Sequence, residues 1–296
     1  MPYQVDISII IVNYNTEYLI EDCVDSIYKQ VQNISFEIIV VDNASLNNIQ
    51  VLQNDKRIKL IQSKSNLGFG KANNLGASFA KGKYLFLLNP DTILINNAIY
   101  LFFKYMENHP KVGICGGNLY TKEMKPCHSY KTIAPGIFYE INELLKGFPS
   151  KILGGDHFNK TNKYKKVAYI TGADLFISKR VFDSVNGFDK DFFMYFEETH
   201  LCYKVNKLGL EIINIPQAKI IHLEGQSFQL KEKRETLYYE GRILYLKKRY
   251  ASWYINICNI ISKINCLINI TFFSLKNRTE IVNLWKFRLN QLIKTK

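Results

Sequence analysis

The sequence predicts an α/β fold, in which a doubly wound, mostly parallel sheet carries helices on both faces and a C-terminal amphipathic helical extension follows. Short apolar, β-branched runs alternate with helical patterns through the first 120 residues, which is typical of repeated strand–helix–strand units. The composition is that of a globular chain, since 47% of the 296 residues are hydrophobic and 22% are charged. Polar residues follow four successive predicted strands, which predicts a ligand-binding site at one edge of the sheet.

The first half of the chain supplies most of the predicted sheet. Residues 7–12, ISIIIV, are apolar on both faces, as expected of a central parallel strand. Apolar residues recur at three- and four-residue spacing through residues 16–31, which predicts an amphipathic helix, and residues 70–82 are also predicted to be helical. Further strands are predicted at residues 36–42, 57–62, 83–89 and 111–119.

The second half is less regular. Residues 120–166 combine Pro, Gly, His and many Lys without a clear period, and we expect them to form a variable substrate loop. Residues 166–189 predict a strand or a strand pair followed by a helix, and residues 197–209 predict a further helix. Strands are predicted again at residues 211–216 and 218–228.

Charge and cysteine content indicate the binding partners and the cellular compartment of the protein. The formal net charge is +13, and residues 247–296 hold ten Lys and Arg but a single acid, Glu280. That asymmetry fits an anionic surface, either a membrane or nucleic acid, better than a uniformly basic body. The six cysteines form no CxxC pair, which favours a reduced, cytoplasmic setting with buried thiols. The N-terminal apolar run is short and lacks a basic flank, so it is expected to be a strand rather than a signal peptide.

The segment 253–275 is strongly apolar but is interrupted by Lys263 and several Asn. A membrane span needs about 20 nearly uninterrupted apolar residues, so an interfacial helix with basic flanks is favoured. A helix packed on the core of its own domain is the alternative. The charge of the tail is interleaved with Ile and Phe, which argues for a membrane surface and against nucleic acid. One helical stripe gathers the apolar residues Trp253, Ile257, Ile260, Ile264, Leu267, Ile268 and Phe272.

The polar residues at the strand ends predict a shared crevice. A single Asn or Asp at a strand end is usually a turn former, but four successive cases favour one site at the carboxyl edge of the sheet. These residues are Asn13, Asn15, Asp42, Asn43, Asn66, Asn89 and Asp91. Gly68 and Gly70 precede a helix, and we expect them to let the backbone approach a ligand closely.

Asp91 has two interpretations. It follows Pro90 at the end of a buried strand, where a carboxylate suits a Mg²⁺ or Mn²⁺ ion that binds a diphosphate. Alternatively it caps a following helix, and taken alone that interpretation is the better one, since Asp is a favoured N-cap. The glycines near it match neither a Walker loop nor the pattern GxGxxG, so neither an ATPase nor an NAD enzyme is supported.

Six stretches together resemble glycosyltransferase family 2, and its bacterial rhamnosyltransferase-like branch in particular. The resemblance covers about residues 7–230 and implies the GT-A fold with a Rossmann-like nucleotide-binding half, a nucleotide-diphosphate sugar donor, a divalent metal and inversion at the anomeric carbon. The stretches, in chain order, are SIIIVNYNT, IIVVDNAS, NLGFGKANN, YLFLLNPDT, TGADLFISKRVFDSVNGFDKDFFMYFEE and AKIIHLEGQS.

The resemblance also implies roles for single residues. Asp42 would contact the nucleobase, Asp91 and His222 would hold the metal and diphosphate, and Glu198 would be the catalytic base with Glu197 in support. The donor site would comprise Asn13, Asn15, Asp42, Asn43, Asn66, Gly68, Lys71 and Asn89. A core histidine at a strand end is the alternative for His222.

Helical geometry gives an independent ranking of the two glutamates. At about 100° per residue, Leu201, Cys202, Val205 and Leu208 define the buried face of residues 197–209. Glu198 falls within this arc and Glu197 at its edge, so burial favours Glu198 as the base. His200, where the family usually has an acid, falls on the opposite side with Lys204 and Lys207. We expect it to be either solvated or a supporting residue behind the site, and peripheral to the reaction.

The sequence therefore predicts an inverting glycosyltransferase at the cytoplasmic face of the cell membrane. Residues 1–120 would bind the donor, residues 121–246 the acceptor, and residues 247–296 would form a basic membrane-associated tail. The expected donor is dTDP-L-rhamnose, with a UDP-hexose as runner-up, and the expected acceptor is a lipid-linked or growing capsule, O-antigen or cell-wall polysaccharide. A catalytically silent nucleotide- or glycan-binding subunit is the rival, and the oligomeric state stays open.

Overall fold

The computed structural model describes residues 3–47, 49–152, 155, 157–223 and 231–294. The strands in these residues are β1 (Val5–Asn13), β2 (Phe36–Asp42), β3 (Lys59–Gln62), β4 (Gly82–Leu88), β5 (Thr92–Leu94), β6 (Val112–Tyr120), β7 (Tyr130–Lys131), β8 (Lys165–Lys166), β9 (Tyr169–Ile170), β10 (Asp174–Ser178) and β11 (Glu211–His222). The helices are α1 (Glu17–Gln30), α2 (Gln50–Asn54), α3 (Phe69–Ser78), α4 (Ala98–Asn108), α5 (Ile137–Leu144), α6 (Phe148–Ile152), α7 (Lys179–Ser184), α8 (Glu197–Lys207), α9 (Lys231–Arg249), α10 (Ser252–Leu275) and α11 (Thr279–Lys294).

The described strands form a central mixed sheet in the order β3-β2-β1-β4-β10-β6-β11-β5, with β8 paired to β11, and a small sheet of β7 and β9. Strand β1 runs parallel to β2 and β4, and β6 runs parallel to β11. Strand β10 is inserted antiparallel between β4 and β6. The predicted mostly parallel α/β sheet is confirmed.

The core explains why residues 9–12 of β1 are all apolar. Ile9 and Ile11 pack into the hydrophobic cluster on one face of the sheet, and Ile10 packs into the cluster on the other face. A strand covered by helices on both faces must present apolar side chains in both directions. The helix predicted at residues 16–31 is α1, which buries Leu19, Ile20 and their neighbours at helical spacing.

The register of the sheet brings the predicted polar strand ends to one edge. Asn13 lies opposite Asp42, and Ile11 lies opposite Leu88. Because β10 is antiparallel to β4, its first residue, Asp174, also lies opposite Leu88. The carboxyl ends of β1, β2 and β4 therefore share an edge with the amino end of β10.

Two parts of the secondary-structure prediction were wrong. Residues 120–166 contain β7, α5, α6 and β8 rather than an irregular loop. Helix α5 was not predicted because its buried residues are the polar Glu140 and Asn142 rather than apolar residues at helical spacing. The strands predicted at 211–216 and 218–228 are one strand, β11, with a shift of register between Asn214 and Lys219; residues 224–228 lie outside the described residues.

The chain divides into two compact units. The sheet unit comprises residues 1–132, 157–193 and 197–229, and the helical unit comprises residues 133–156, 194–196 and 230–296. The boundary that the sequence suggested, between residues 246 and 247, falls inside α9. The basic residues that suggested it, Lys247–Arg249, form the last turn of that helix, where cations interact favourably with the helix dipole.

A buried ion pair lies inside the helical unit. The guanidinium of Arg242 donates from Nε and Nη2 to Glu140 Oε1, at 3.0 and 2.7 Å. Ser262 Oγ donates to the other oxygen of Glu140, and Arg242 Nη1 donates to Asn259 Oδ1. These polar contacts join α5, α9 and α10, in addition to an apolar cluster that includes Tyr239 of α9 and Cys266 of α10.

The predicted apolar stripe lies on the solvent-exposed side of helix α10. The seven residues of the stripe are between 37% and 65% exposed. The opposite side of the helix is buried and includes the polar residues Ser262 and Asn269. Among the described residues, α10 is also the helix that is long and apolar enough, by length and composition, to cross a membrane.

Candidate functional site

Asn13 organises the crevice at the end of β1. Its Nδ2 donates to Asp42 Oδ1 at 2.9 Å and to Ser45 Oγ at 3.1 Å. Its Oδ1 accepts from both the backbone N and the Oγ1 of Thr16, at 3.2 and 3.0 Å. Asn13 is completely buried, so it orients the Asp42 carboxylate rather than reaching a ligand. Ser45, which is part of this network, was not singled out from the sequence.

Asn15 shapes the turn after β1. Its backbone is left-handed, with φ of 56°, a conformation that Asn tolerates better than most residues. Its N–H donates to Ser45 Oγ, and its Oδ1 accepts from Leu46 N at 2.7 Å. The turn therefore joins the segment after β1 to the segment after β2.

Asn43 and Asn66 hold the loop before α3. Asn43 Nδ2 donates to Asn66 Oδ1 at 3.0 Å, and Asn43 Oδ1 accepts from Leu67 N at 2.8 Å. Asn66 Oδ1 also accepts from Gly68 N. Asn43 is buried and Asn66 is exposed, so the first supports the loop and the second faces solvent. Lys71 lies half-buried in the first turn of α3.

The side of each of these glycines on which a Cβ atom would lie faces protein. A Cβ atom on Gly68 would lie 2.2 Å from the carbonyl oxygen of Phe193, and the φ of Gly68 is +80°. A Cβ atom on Gly70 would lie 3.0 Å from Phe188 Cβ and 3.5 Å from Glu197 Cβ. The loop packs directly against the segment that leads into α8.

Asp91 and His222 are brought together by the pairing of β5 with β11. Thr92 lies opposite His222 in this antiparallel pair, and His222 Nε2 lies 3.3 Å from Asp91 Oδ1. Asp91 is not a helix cap, because Asn97 caps α4 by accepting a bond from Tyr100 N. This removes the competing interpretation of Asp91.

The donor set at Asp91 and His222 fits a divalent cation that is shared with a substrate. No cluster of three or more His, Cys, Asp or Glu that would hold a metal occurs in the described part of the chain. The protein would therefore supply one carboxylate and one imidazole. Mg²⁺ and Mn²⁺ bound in this way complete their shells with phosphate oxygens and water.

The two glutamates begin α8, and their burial is the reverse of the prediction. Glu197 is 4% exposed, whereas Glu198 is half-buried. The buried face that the later turns of the helix define does not predict burial at the first turn, because there Glu197 lies against Gly70 of α3. Among the described residues, Glu197 Oε2 has no hydrogen-bond partner.

The surroundings of the glutamates disfavour charge on both. Burial, and then the neighbouring Glu198 carboxylate, raise the pKa of Glu197 well above its ordinary value. Burial also raises the pKa of Glu198, and a bond from Thr199 Oγ1 opposes this rise. Like-charged neighbours ionise one at a time, so the site disfavours a second negative charge, and Glu198 is the more accessible carboxyl group of the two.

His200 is buried, so the first of its two predicted environments, solvent, is wrong, and the second, a supporting position behind the site, stays a prediction. It is 7% exposed, its ring centroid lies 5.3 Å from that of Phe192, and its Nδ1 lies 3.5 Å from Asp189 Oδ2. Residues 185–193 cover this side of α8, and Lys204 Nζ donates to the Val185 carbonyl at 2.7 Å.

Leu208, predicted to be buried, is instead 53% exposed. Helix α8 ends at Lys207, so the helical arc that placed Leu208 on the buried face does not extend to it.

The predicted site residues converge at the carboxyl edge of the sheet. Asn89 N donates to the Ala173 carbonyl at 3.0 Å, which links the Asp91 turn to the segment before β10. A Cβ atom on Gly172 would lie 3.9 Å from Glu198 Cγ and 3.3 Å from the ring of Phe69. Gly172 and Phe69 were not predicted as site residues, although both lie within stretches that carried the family resemblance.

Comparisons with known proteins agree with this architecture. The family model described as glycosyl transferase family 2 matches residues 8–182. The low-salt glycan biosynthesis hexosyltransferase Agl10 of Haloferax volcanii is 28% identical over 220 residues, which cover 73% of this chain and 66% of that protein. The rhamnosyltransferase WbbL of Escherichia coli K12 is 28% identical over 231 residues, which cover 72% of this chain and 82% of that protein.

A solved structure shows the same fold. The crystal structure of GalNAc-T7 with UDP, GalNAc and Mn²⁺ superimposes with a TM-score of 0.62, at 14% identity over 97% of this chain and 54% of the other. This likeness shows the GT-A fold that the sequence resemblance implied.

Proposed function

The chain belongs to glycosyl transferase family 2, and from this premise we propose that it is an inverting enzyme that moves L-rhamnose from dTDP-L-rhamnose to a cell-surface polysaccharide. The observation that carries the proposal is the common edge of the sheet. Asp42, the Asp91–His222 pair and Glu198 all lie there. One donor site and one base are what a single displacement requires.

Glu198 is proposed to be the base. It would accept the proton of the acceptor hydroxyl while that oxygen attacks the anomeric carbon and the bond to the diphosphate breaks. A half-buried carboxylate with a raised pKa is a stronger base than a solvated one and can still be reached by an acceptor. Glu197, protonated beside it, adds no second charge to the site.

The donor would be held by the crevice described above. The oriented Asp42 carboxylate would accept hydrogen bonds from the nucleobase, and the exposed Asn66 amide would contact the nucleotide. Asp91 and His222 would hold Mg²⁺ or Mn²⁺. A bound divalent cation would neutralise charge on the departing diphosphate.

The choice of donor rests on similarity. The Escherichia coli relative is named a rhamnosyltransferase and the Haloferax relative a hexosyltransferase. At 28% identity a shared fold leaves the sugar open, so a UDP-hexose is the second candidate. A lipid-linked or growing polysaccharide is the proposed acceptor.

The proposal also places the enzyme at the cytoplasmic face of the membrane, through α10. A helix in water usually buries its apolar side. The buried side of α10 mixes the apolar Ile255, Cys258 and Cys266 with the polar Ser262 and Asn269, whereas the apolar stripe is exposed. Such a face suits the boundary between headgroups and acyl chains. The excess of Lys and Arg over residues 247–296 suits anionic lipids.

A donor panel tests the enzymatic proposal. Purified protein with Mn²⁺ and a lipid-linked saccharide extract is given dTDP-L-rhamnose or UDP-hexoses, and release of dTDP or UDP is measured. We expect release from dTDP-L-rhamnose and none from a Glu198→Gln variant of equal thermal stability. A folded, metal-loaded protein that releases nothing from any donor would instead be a silent binding subunit.

Liposome flotation tests the membrane part. Ile264→Glu on the exposed stripe should weaken binding to vesicles that contain phosphatidylglycerol. Gln53→Glu, an exposed residue of α2, makes the same charge change in the sheet unit and should leave binding intact. Equal binding by both variants would contradict docking through α10.

A further inference from the structure

The loop before α3 and the segment before α8 are packed on each other within the sheet unit. Phe69 N donates to the Phe193 carbonyl at 3.0 Å. The same carbonyl oxygen occupies the place where a side chain at position 68 would begin. The loop that the proposed function assigns to the donor therefore touches the chain four residues before the first glutamate.

Gly70 makes the closest approach of α3 to the glutamates themselves. Its backbone is helical, so no left-handed conformation requires glycine at this position. The requirement is space, because a Cβ atom would lie 3.0 Å from Phe188 Cβ, 3.3 Å from Phe188 Cγ and 3.5 Å from Glu197 Cβ. The two Phe188 atoms would have to give by a few tenths of an ångström, whereas the Glu197 Cβ atom would be in ordinary van der Waals contact with the added methyl group.

Phe188 is not free to move away. Asn74, one turn after Gly70, donates from Nδ2 to the Phe188 carbonyl and accepts at Oδ1 from the Phe188 N–H, both at 2.9 Å. The Phe69 and Phe188 rings also meet edge to face, with centroids 6.0 Å apart. An added methyl group at position 70 would press on Phe188, and because Asn74 holds Phe188 to α3, we expect the segment that leads from Phe188 into α8 to shift and to carry the first turn of α8 with it.

We propose that Gly70 is a positioning residue, whose missing side chain sets the distance between the donor loop and the Glu197–Glu198 pair. This inference rests on the proposed function for its catalytic consequence. Helix α3 begins at the donor loop, so the loop and the glutamates are parts of one packed cluster. Placement of the base then depends on a residue that touches neither the acceptor nor the reacting atoms.

Gly76 provides a matched control on the same helix. A Cβ atom there would lie 2.6 Å from Ile10 Cγ2 and 3.0 Å from Val41 Cγ2, in the core and away from α8. Gly76→Ala is thus the more severe overpacking of the two. A purely structural role for Gly70 predicts that Gly76→Ala loses more stability and more activity.

The test compares the two variants by kinetics. Because a 1 Å misplacement costs about 100-fold in rate, Gly70→Ala should lower kcat by about 3- to 10-fold and leave the KM for the donor unchanged. Gly76→Ala should lower Tm further while kcat at 25 °C stays close to wild type. Gly70→Ala with normal kcat, or with a loss no larger than that of Gly76→Ala, would overturn the inference.

Two further measurements separate this inference from the proposed function. In crystal structures, the first turn of α8 should shift in Gly70→Ala and stay in place in Gly76→Ala, whether or not a donor has been found; an unshifted turn would refute the proposal. Asn74→Ala, which frees Phe188 without overpacking, should lower kcat while dTDP affinity by calorimetry is kept. Loss of dTDP affinity in step with kcat would count against positioning.

Discussion

The same substitution is expected to have very different effects at the two adjacent glutamates. Glu198→Gln removes the group that accepts the proton, and loss of a general base lowers kcat by about 10²–10⁴-fold. Glu197 is buried, and its pKa is raised well above the ordinary value by burial and then by Glu198. We therefore expect Glu197 to be the protonated member of the pair, and Gln reproduces both its shape and its lack of charge. Glu197→Gln should change kcat by less than about threefold, under 1 kcal/mol.

The assay is the pH dependence of kcat/KM for wild type and both variants, with thermal denaturation as the check on folding. Glu198 must be ionised to act, so activity rises as the pH passes its pKa. Burial raises that pKa, so the acid limb should lie above the value of about 4.3 that is typical of a solvated Glu. Glu197→Gln should leave this limb in place, since the residue it replaces is already neutral.

Two results would refute this reasoning. Equal losses of kcat at the two positions would mean that both carboxyl groups take part in the reaction. A shift of the acid limb by more than about one pH unit in Glu197→Gln would mean that Glu197 carries charge while the enzyme works. Either result would also remove the distinction between a base and its protonated neighbour.

Three further outcomes are expected. Asp174 is buried, and burial raises its pKa well above the ordinary value, so the folded protein is most stable where Asp174 is protonated, at low pH, and loses stability as pH rises. Asp174→Asn should therefore raise Tm, and raise it more at pH 8 than at pH 5. An equal increase at both pH values would contradict this. Asp91→Asn should increase the Mn²⁺ concentration needed for half-maximal activity by about 10-fold or more, without lowering Tm; an unchanged requirement would contradict metal binding there. Glu140→Gln leaves Arg242 buried without its counter-charge and should cost about 3–5 kcal/mol in urea denaturation, whereas a cost below 1 kcal/mol would mean that the ion pair contributes little.

The sheet and its polar edge were predictable because each follows from a pattern within a few consecutive residues. A strand covered on two faces, such as β1, contains consecutive apolar residues, here residues 9–12. The register of the parallel strands then brings the residues that follow them together. The Asp91–His222 contact needed the pairing of β5 with β11, which spacing along the chain does not reveal.

The environment of the glutamates was not predictable from their own helix. The burial of Glu197 depends on Gly70, in a different helix, and the burial of His200 depends on the covering segment 185–193. A helical arc describes how residues are arranged around one axis, and it carries no information on which sides of that axis have neighbours. In the same way, α5 was missed because its buried Glu140 pairs with Arg242 and Ser262, which lie far along the chain.

The antiparallel insertion of β10 has a consequence for the order of folding. Strand β6 is paired with β10 and β11, both of which come later in the chain, and β10 also pairs with the edge of β4 that β1 leaves free. During synthesis, residues 1–120 therefore emerge with β6 lacking its strand partners and with one side of β4 unpaired, and exposed strand edges promote association. The donor-binding half assigned to residues 1–120 is consequently not a self-sufficient folding unit, and its sheet is completed only after residue 178 and then β11 have been made.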